Sequence, residues 1–195
     1  MFATEIQPKR SRHRHQLPLA RQEQRIFQRQ QLIPQRENML WQINDGYLRT
    51  ITLTEAGEIH TLGIWGPGDI VGISLNRNYP HQMEPLSTVK ATSIRDDSIF
   101  AGQWLIAYLE QTEALLNIQY ESLVKNRLLL FLKWLSDRFG HSVEPGLSTG
   151  IRLTHQEIGE SINTTRVTVT RVLGKLQEEG YLTWFNRYCV LKNLK

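Results

Sequence analysis

Residues 153–176 read Leu153-Thr154-His155-Gln156-Glu157-Ile158-Gly159-Glu160-Ser161-Ile162-Asn163-Thr164-Thr165-Arg166-Val167-Thr168-Val169-Thr170-Arg171-Val172-Leu173-Gly174-Lys175-Leu176. This is a pair of short helical patterns with a turn between them. Thr154 and Glu157 have the spacing of a capping box, in which the hydroxyl accepts the amide three residues on and the carboxylate reaches back. The first helix is predicted to run to about Ile162, with Ile158 and Ile162 inward. Asn163 tolerates left-handed backbone angles where a helix must stop and turn. Thr164 or Thr165 then caps a second helix. Val169, Val172, Leu173 and Leu176 recur at helical spacing and form its buried stripe.

The other face of the second helix carries Arg166, Val167, Thr170, Arg171 and Lys175. An arginine can fork onto guanine O6 and N7, and a valine methyl can meet a thymine methyl. Arg166, Val167, Thr170 and Arg171 are therefore candidates for reading base edges. Thr154, His155, Gln156, Thr165, Thr168 and Lys175 are candidates for holding phosphates and fixing register. The same spacing also describes an ordinary surface helix pair, as many enzymes have.

Downstream, Gly180 ends the helix. Two short strands, about residues 181–184 and 188–191, flank Phe185-Asn186-Arg187 in a wing-like hairpin, with Arg187 as a further phosphate candidate. Upstream, Trp134, Leu135 and Phe139 are expected to pack on this C-terminal unit. Gly140 and Pro145-Gly146 read as a linker.

Further upstream, Leu109, Leu116, Leu123 and Leu130 recur every seven residues, with Leu105, Thr112, Gln119 and Asn126 as companions. Leu105, Leu109, Thr112, Leu116 and Leu123 fit a coiled-coil seam between two copies of the chain. The row could instead pack on its own domain, and a break near residues 120–125 would divide it between two helices. Residues 26–100 read as short strands: 41–43, 47–53, 59–65 and 87–94, punctuated by Asn44-Asp45-Gly46, Glu55-Ala56-Gly57-Glu58 and Gly66-Pro67-Gly68-Asp69. That spacing suggests an antiparallel roll or barrel.

The chain has 195 residues, a formal charge of +4 and one cysteine, Cys189. One thiol excludes an internal disulfide, a cysteine-ligated iron–sulfur cluster and a cysteine-rich zinc site. A cytoplasmic address follows as the expectation, with no membrane span and no apolar secretory core. The basic stretch Lys9-Arg10-Ser11-Arg12-His13-Arg14-His15 reads as a solvated tail or as an arm touching DNA phosphates. A Gly-rich phosphate loop, a nucleophile motif and His-rich metal spacing are all missing, which argues against an enzyme. Glu55, Glu58 and His60 sit at a turn and are most simply solvated.

Residues 153–176 resemble the helix-turn-helix of the Crp/Fnr superfamily, most specifically in Gln156-Glu157-Ile158-Gly159 and in 165–171. The latter run is most similar to the cyanobacterial nitrogen-control branch. Asn126-Arg127-Leu128 and Asp137-Arg138-Phe139-Gly140 resemble that branch too, and Gly66-Pro67-Gly68-Asp69-Ile70-Val71-Gly72 resembles a loop of the family's sensor roll. The resemblance implies an α+β chain. It would comprise a basic tail (1–25), an N-terminal β-roll like the cyclic-nucleotide-binding ones (26–100), a long dimerisation helix and hinge (101–138), and a C-terminal winged helix-turn-helix (139–195). It implies a transcription regulator, an activator contacting RNA polymerase, that binds double-stranded DNA as a homodimer at a palindromic site. The alternative is a degenerate member whose roll binds a protein partner and whose DNA affinity is weak.

Cyclic-AMP members of the family place a glutamate after the Gly-Asp-x-x-Gly loop and an arginine–serine or arginine–threonine pair further on. Here Ile73-Ser74 and Pro85-Leu86 take those places, so a cyclic phosphate would lose its charge partner. The resemblance leaves 2-oxoglutarate, with Lys90, Thr112 and Glu113 near the seam, or no effector at all. A haem on His60 or His81 is the remote alternative.

Overall fold

Short β-branched and aromatic runs make the strands, and the computed structural model describes residues 23–35, 39–72, 81–95 and 98–192. The basic stretch 9–15 and Ile73-Ser74 lie outside these residues. The first half holds seven strands: β1 (Gln24–Phe27), β2 (Met39–Asp45), β3 (Leu48–Leu53), β4 (Ile59–Trp65), β5 (Ile70–Val71), β6 (His81–Pro85) and β7 (Val89–Arg95). They form two antiparallel sheets, β1-β7-β2-β5 and β4-β3-β6. The expected tail is two residues too long, because Gln24 and Arg25 already pair with Thr92 and Ala91. The two sheets cover each other's apolar faces around one core.

The roll is filled by Phe27, Trp41, Ile43, Leu48, Trp65, Met83, Val89 and Ala91. Full burial of such side chains stabilises by about 1.5–3 kcal/mol each. Their polar atoms are satisfied: the indole N–H of Trp41 donates to Pro34 O at 3.2 Å and that of Trp65 to Thr50 Oγ1 at 3.1 Å.

Two helices follow, α1 (Ser98–Tyr120) and α2 (Val124–Phe139). The leucine row therefore does not continue along one helix. Leu123 sits in the break as the residue capping α2, with extended backbone angles, so of the five seam candidates only Leu105, Leu109, Thr112 and Leu116 lie on α1. The chain then forms β8 (Ser142–Val143), β9 (Gly146–Ser148), α3 (His155–Ser161), α4 (Arg166–Glu178), β10 (Leu182–Phe185) and β11 (Tyr188–Lys192). The last sheet runs β10-β11-β9-β8. The segment read as a linker is thus a paired hairpin of this sheet: turn-forming residues mark a reversal as readily as a tether, and Val190, Leu191 and Lys192 pair with 146–148.

The apolar core of the C-terminal half, with Leu128, Phe131, Leu132, Leu135, Ile158, Ile162, Val169, Leu173, Leu176 and Leu182, runs without a gap into Ile64 and Leu86 of the roll. The loop Gly66-Pro67-Gly68-Asp69 locks this junction. Asp69 Oδ2 accepts from the Gly66 amide and from the Arg138 guanidinium, both at 2.9 Å. A Cβ on Gly66 would lie 2.9 Å from the rings of Phe139 and Tyr47, so only glycine fits there. None of the helices among the described residues is long and apolar enough to cross a membrane.

Candidate nucleic-acid interface

The first helix of the pair is fixed by local chemistry. Thr154 Oγ1 accepts the Glu157 amide at 3.1 Å, and Glu157 Oε2 accepts the Thr154 amide at 2.7 Å, a complete capping box. The turn then reverses through Asn163 at φ 53°. The Thr164 amide donates to Gly159 O at 2.9 Å. A Cβ on Gly159 would sit 2.6 Å from Thr164 O, which explains a glycine inside a seven-residue helix. From α2, Arg127 donates to Ile162 O at 2.8 Å and Asn163 O at 3.0 Å and so pins the turn.

Thr165, not Thr164, caps α4: its Oγ1 accepts the Thr168 amide at 3.2 Å and hydrogen-bonds the Thr168 hydroxyl at 3.0 Å. Val169, Leu173 and Leu176 are buried beneath α4, and Val172 packs partly against them. That stripe turns Arg166, Val167, Thr170, Arg171 and Lys175 outward, and all five are exposed. Val167 is 76% exposed, a costly state for a β-branched residue with low helix propensity. Among the described residues no carboxylate forms a salt bridge with Arg166, Arg171 or Lys175. The row is a cationic ridge without internal neutralisation, facing solvent.

Other candidate side chains are already hydrogen-bonded within the fold. Thr170 Oγ1 donates to Arg166 O at 3.0 Å and meets His155 Nδ1 at 2.7 Å. Burial, then the Arg166 charge, holds the His155 imidazole below its usual pKa. Gln156 donates to Glu160 at 2.8 Å while remaining exposed. At the wing tip Asn186 and Arg187 have φ of 49° and 69°, the left-handed pair of a tight hairpin turn. Arg187 is exposed beside Trp184 and Phe185, which are also exposed.

The seam candidates form a second exposed row. Leu105, Leu109, Leu116 and Leu123 project into solvent with Ile106 and Tyr120, and Leu109 is 55% exposed. Thr112 donates its hydroxyl to Tyr108 O within the helix.

Lys90 alternates with buried Val89 and Ala91, so it points away from the roll core and pairs with Asp45. Pro85 pairs with Leu48 and Leu86 is buried, so neither position offers a charge to a cyclic phosphate. His81 is half-buried with Nδ1 against Gln35, and His60 is half-buried in β4. Nothing among the described residues gathers three metal-binding side chains.

Sequence reasoning missed Arg49. It lies in β3, is 4% exposed, and donates to Glu84 Oε2 at 2.7 Å and Glu160 Oε2 at 2.5 Å. Its position between Leu48 and Thr50 in an apolar strand was the available signal for a paired, buried charge.

Comparisons with known proteins agree with this geometry. A Crp-like helix-turn-helix domain matches residues 126–195. The regulatory protein CysR of Synechococcus elongatus is 33% identical over 170 residues, covering 86% of this chain and 82% of that one. The global nitrogen regulator of Synechocystis is 39% identical over 88 residues, covering 45% of this chain and 39% of that one. Among solved structures, FixK2 from Bradyrhizobium japonicum superposes with a TM-score of 0.73 at 18% identity, covering 88% of this chain and 93% of that one. A CRP-family transcriptional regulator from Thermus thermophilus reaches 0.70 at 20% identity, covering 87% and 92%.

Proposed function

Because the chain belongs to the Crp/Fnr family of DNA-binding transcription regulators, we propose that it acts in the cytoplasm as a homodimer that reads a palindromic promoter site and activates transcription through contact with RNA polymerase. Arg166, Val167, Thr170 and Arg171 meet base edges in the major groove. Thr154, His155, Gln156, Thr165, Thr168, Lys175 and Arg187 hold the flanking backbone. Leu105, Leu109, Leu116 and Leu123 face the same residues of a second copy. Two-fold symmetry then presents two α4 helices to two half-sites.

One observation carries this reading: α4 keeps its cationic face unpaired among the described residues and exposed, with β-branched Val167 at its outermost point. A buried apolar stripe holds that face rigid, as a base-reading element requires. Selection of bound sequences from a random duplex pool tests it. The expected product is an inverted repeat whose affinity falls steeply with salt, as phosphate contacts demand. Enrichment of no sequence would contradict it. Running the selection with and without 2-oxoglutarate tests effector dependence in the same experiment.

A further inference from the structure

We propose that Arg49 is a positioning residue for DNA reading: its buried guanidinium, shared between Glu84 of the roll and Glu160 of α3, sets the angle at which the recognition helix is presented. The inference rests on the DNA-reading assignment of α4.

Glu160 comes from the helix-turn-helix, 111 positions away in sequence, and Glu84 from β6, the strand beside β3. The three groups are largely withdrawn from water, with Arg49 4%, Glu160 12% and Glu84 28% exposed. A guanidinium presents a rigid fork of donors, so it can hold two carboxylates in one fixed geometry where an ammonium cannot. Burial disfavours the charge of Arg49, yet the hydrogen bond it donates to Glu160 and the field of Glu84 hold its pKa above the ordinary arginine value.

Further contacts join the same two surfaces. Arg29 pairs with Glu157. Ser161 Oγ donates to Thr61 Oγ1 at 3.1 Å with both residues buried, and Gln119 of α1 donates to Ser161 O at 3.0 Å. All of these reach the back of α3. Arg166, Val167 and Arg171 stay exposed while they are made, so the clamped posture is compatible with DNA. Releasing the clamp lets α3 and α4 swing as a unit, and the order lost must be restored when DNA binds.

The experiment uses the full-length protein and its selected duplex, read by fluorescence anisotropy across a salt series. Glu160→Gln keeps the Arg49–Glu84 pair, and therefore the roll, while loosening α3. Its Kd is expected to rise about tenfold with the salt slope unchanged, because the remaining amide oxygen still accepts from Gln156, the phosphate candidate that Glu160 holds. Glu84→Gln keeps the Arg49–Glu160 bond across the junction and is expected to weaken binding clearly less than Glu160→Gln. Arg49→Lys is expected to weaken binding in the wild-type background and to add nothing in Glu160→Gln. The clamp is overturned by wild-type affinity in Glu160→Gln, by an equal loss in Glu84→Gln, or by additive losses in the Arg49→Lys double variant. Wild-type protein that shows no sequence selectivity overturns the DNA-reading assignment itself, and the clamp with it.

Discussion

The front and the back of the helix-turn-helix use arginine in opposite ways. On the back, Arg49 is buried and holds two carboxylates; on the front, Arg166 and Arg171 are exposed with no carboxylate bridged to them among the described residues. A buried charge without a partner is costly, so the back must be complete in the free protein. An exposed cation is hydrated at little cost and keeps its capacity for a phosphate or a guanine. Pairing therefore separates the surface proposed to fix the geometry from the surface proposed to meet DNA. The leucines of α1 make the same contrast within one helix: Leu115 and Ile118 are buried against the fold, while Leu109 and Leu116 face solvent.

That contrast breaks first, and most severely, at the seam. Leu116→Glu in full-length protein should leave the fold intact, since the side chain already faces water. It should give a monomer in sedimentation, with affinity for a palindromic duplex down by about two orders of magnitude once the second half-site no longer adds its effective concentration. A stable dimer in that variant would assign the leucine row to another use.

A smaller effect separates local from long-range order. Thr154→Ala removes the capping box of α3 and should cost about 1 kcal/mol of unfolding free energy, read as a lower urea midpoint with an unchanged slope. Stability equal to wild type would mean that packing against the roll, rather than the cap, holds the helix.

The smallest effect lies in pH. His81 is half-buried, its buried Nε2 has no hydrogen-bond partner, and desolvation lowers its pKa below the usual 6.5. The unfolded chain then binds more protons than the folded one as pH falls through 6.5, so stability is full above that pH and declines below it. The urea midpoint should drop between pH 7.5 and 5.5, and drop less in His81→Asn. An identical drop in both proteins would remove His81 from the account.

What could be read from sequence was local. Thr154 with Glu157, Asn163, the stripe 169-172-173-176 and Gly180 each act within four residues, and each signal has one physical meaning. The turn-rich spacing of the strands likewise pointed to a roll. Strand β6, His81-Gln82-Met83-Glu84-Pro85, was not legible, because it lacks a β-branched run and is defined by pairing with β3. Strand β1 was partly hidden for the same reason, lying at the edge of a polar stretch. The hairpin at 142–148 was read as a tether because glycine and proline report only that the chain turns. Leu123 kept the heptad count across a helix break, since a seven-residue repeat carries no mark of the break. Arg49 and Glu160 are 111 positions apart, and no local rule joins them.

The measurement that bears most directly on the account is the duplex selection repeated with Arg166→Ala. The inverted repeat and its spacing should survive, while one guanine in each half-site loses its preference, at a cost of about 1–3 kcal/mol of binding to the original sequence. An unchanged motif, with every position as strongly selected as in the wild-type protein, would contradict the reading of α4 as the base-contacting helix.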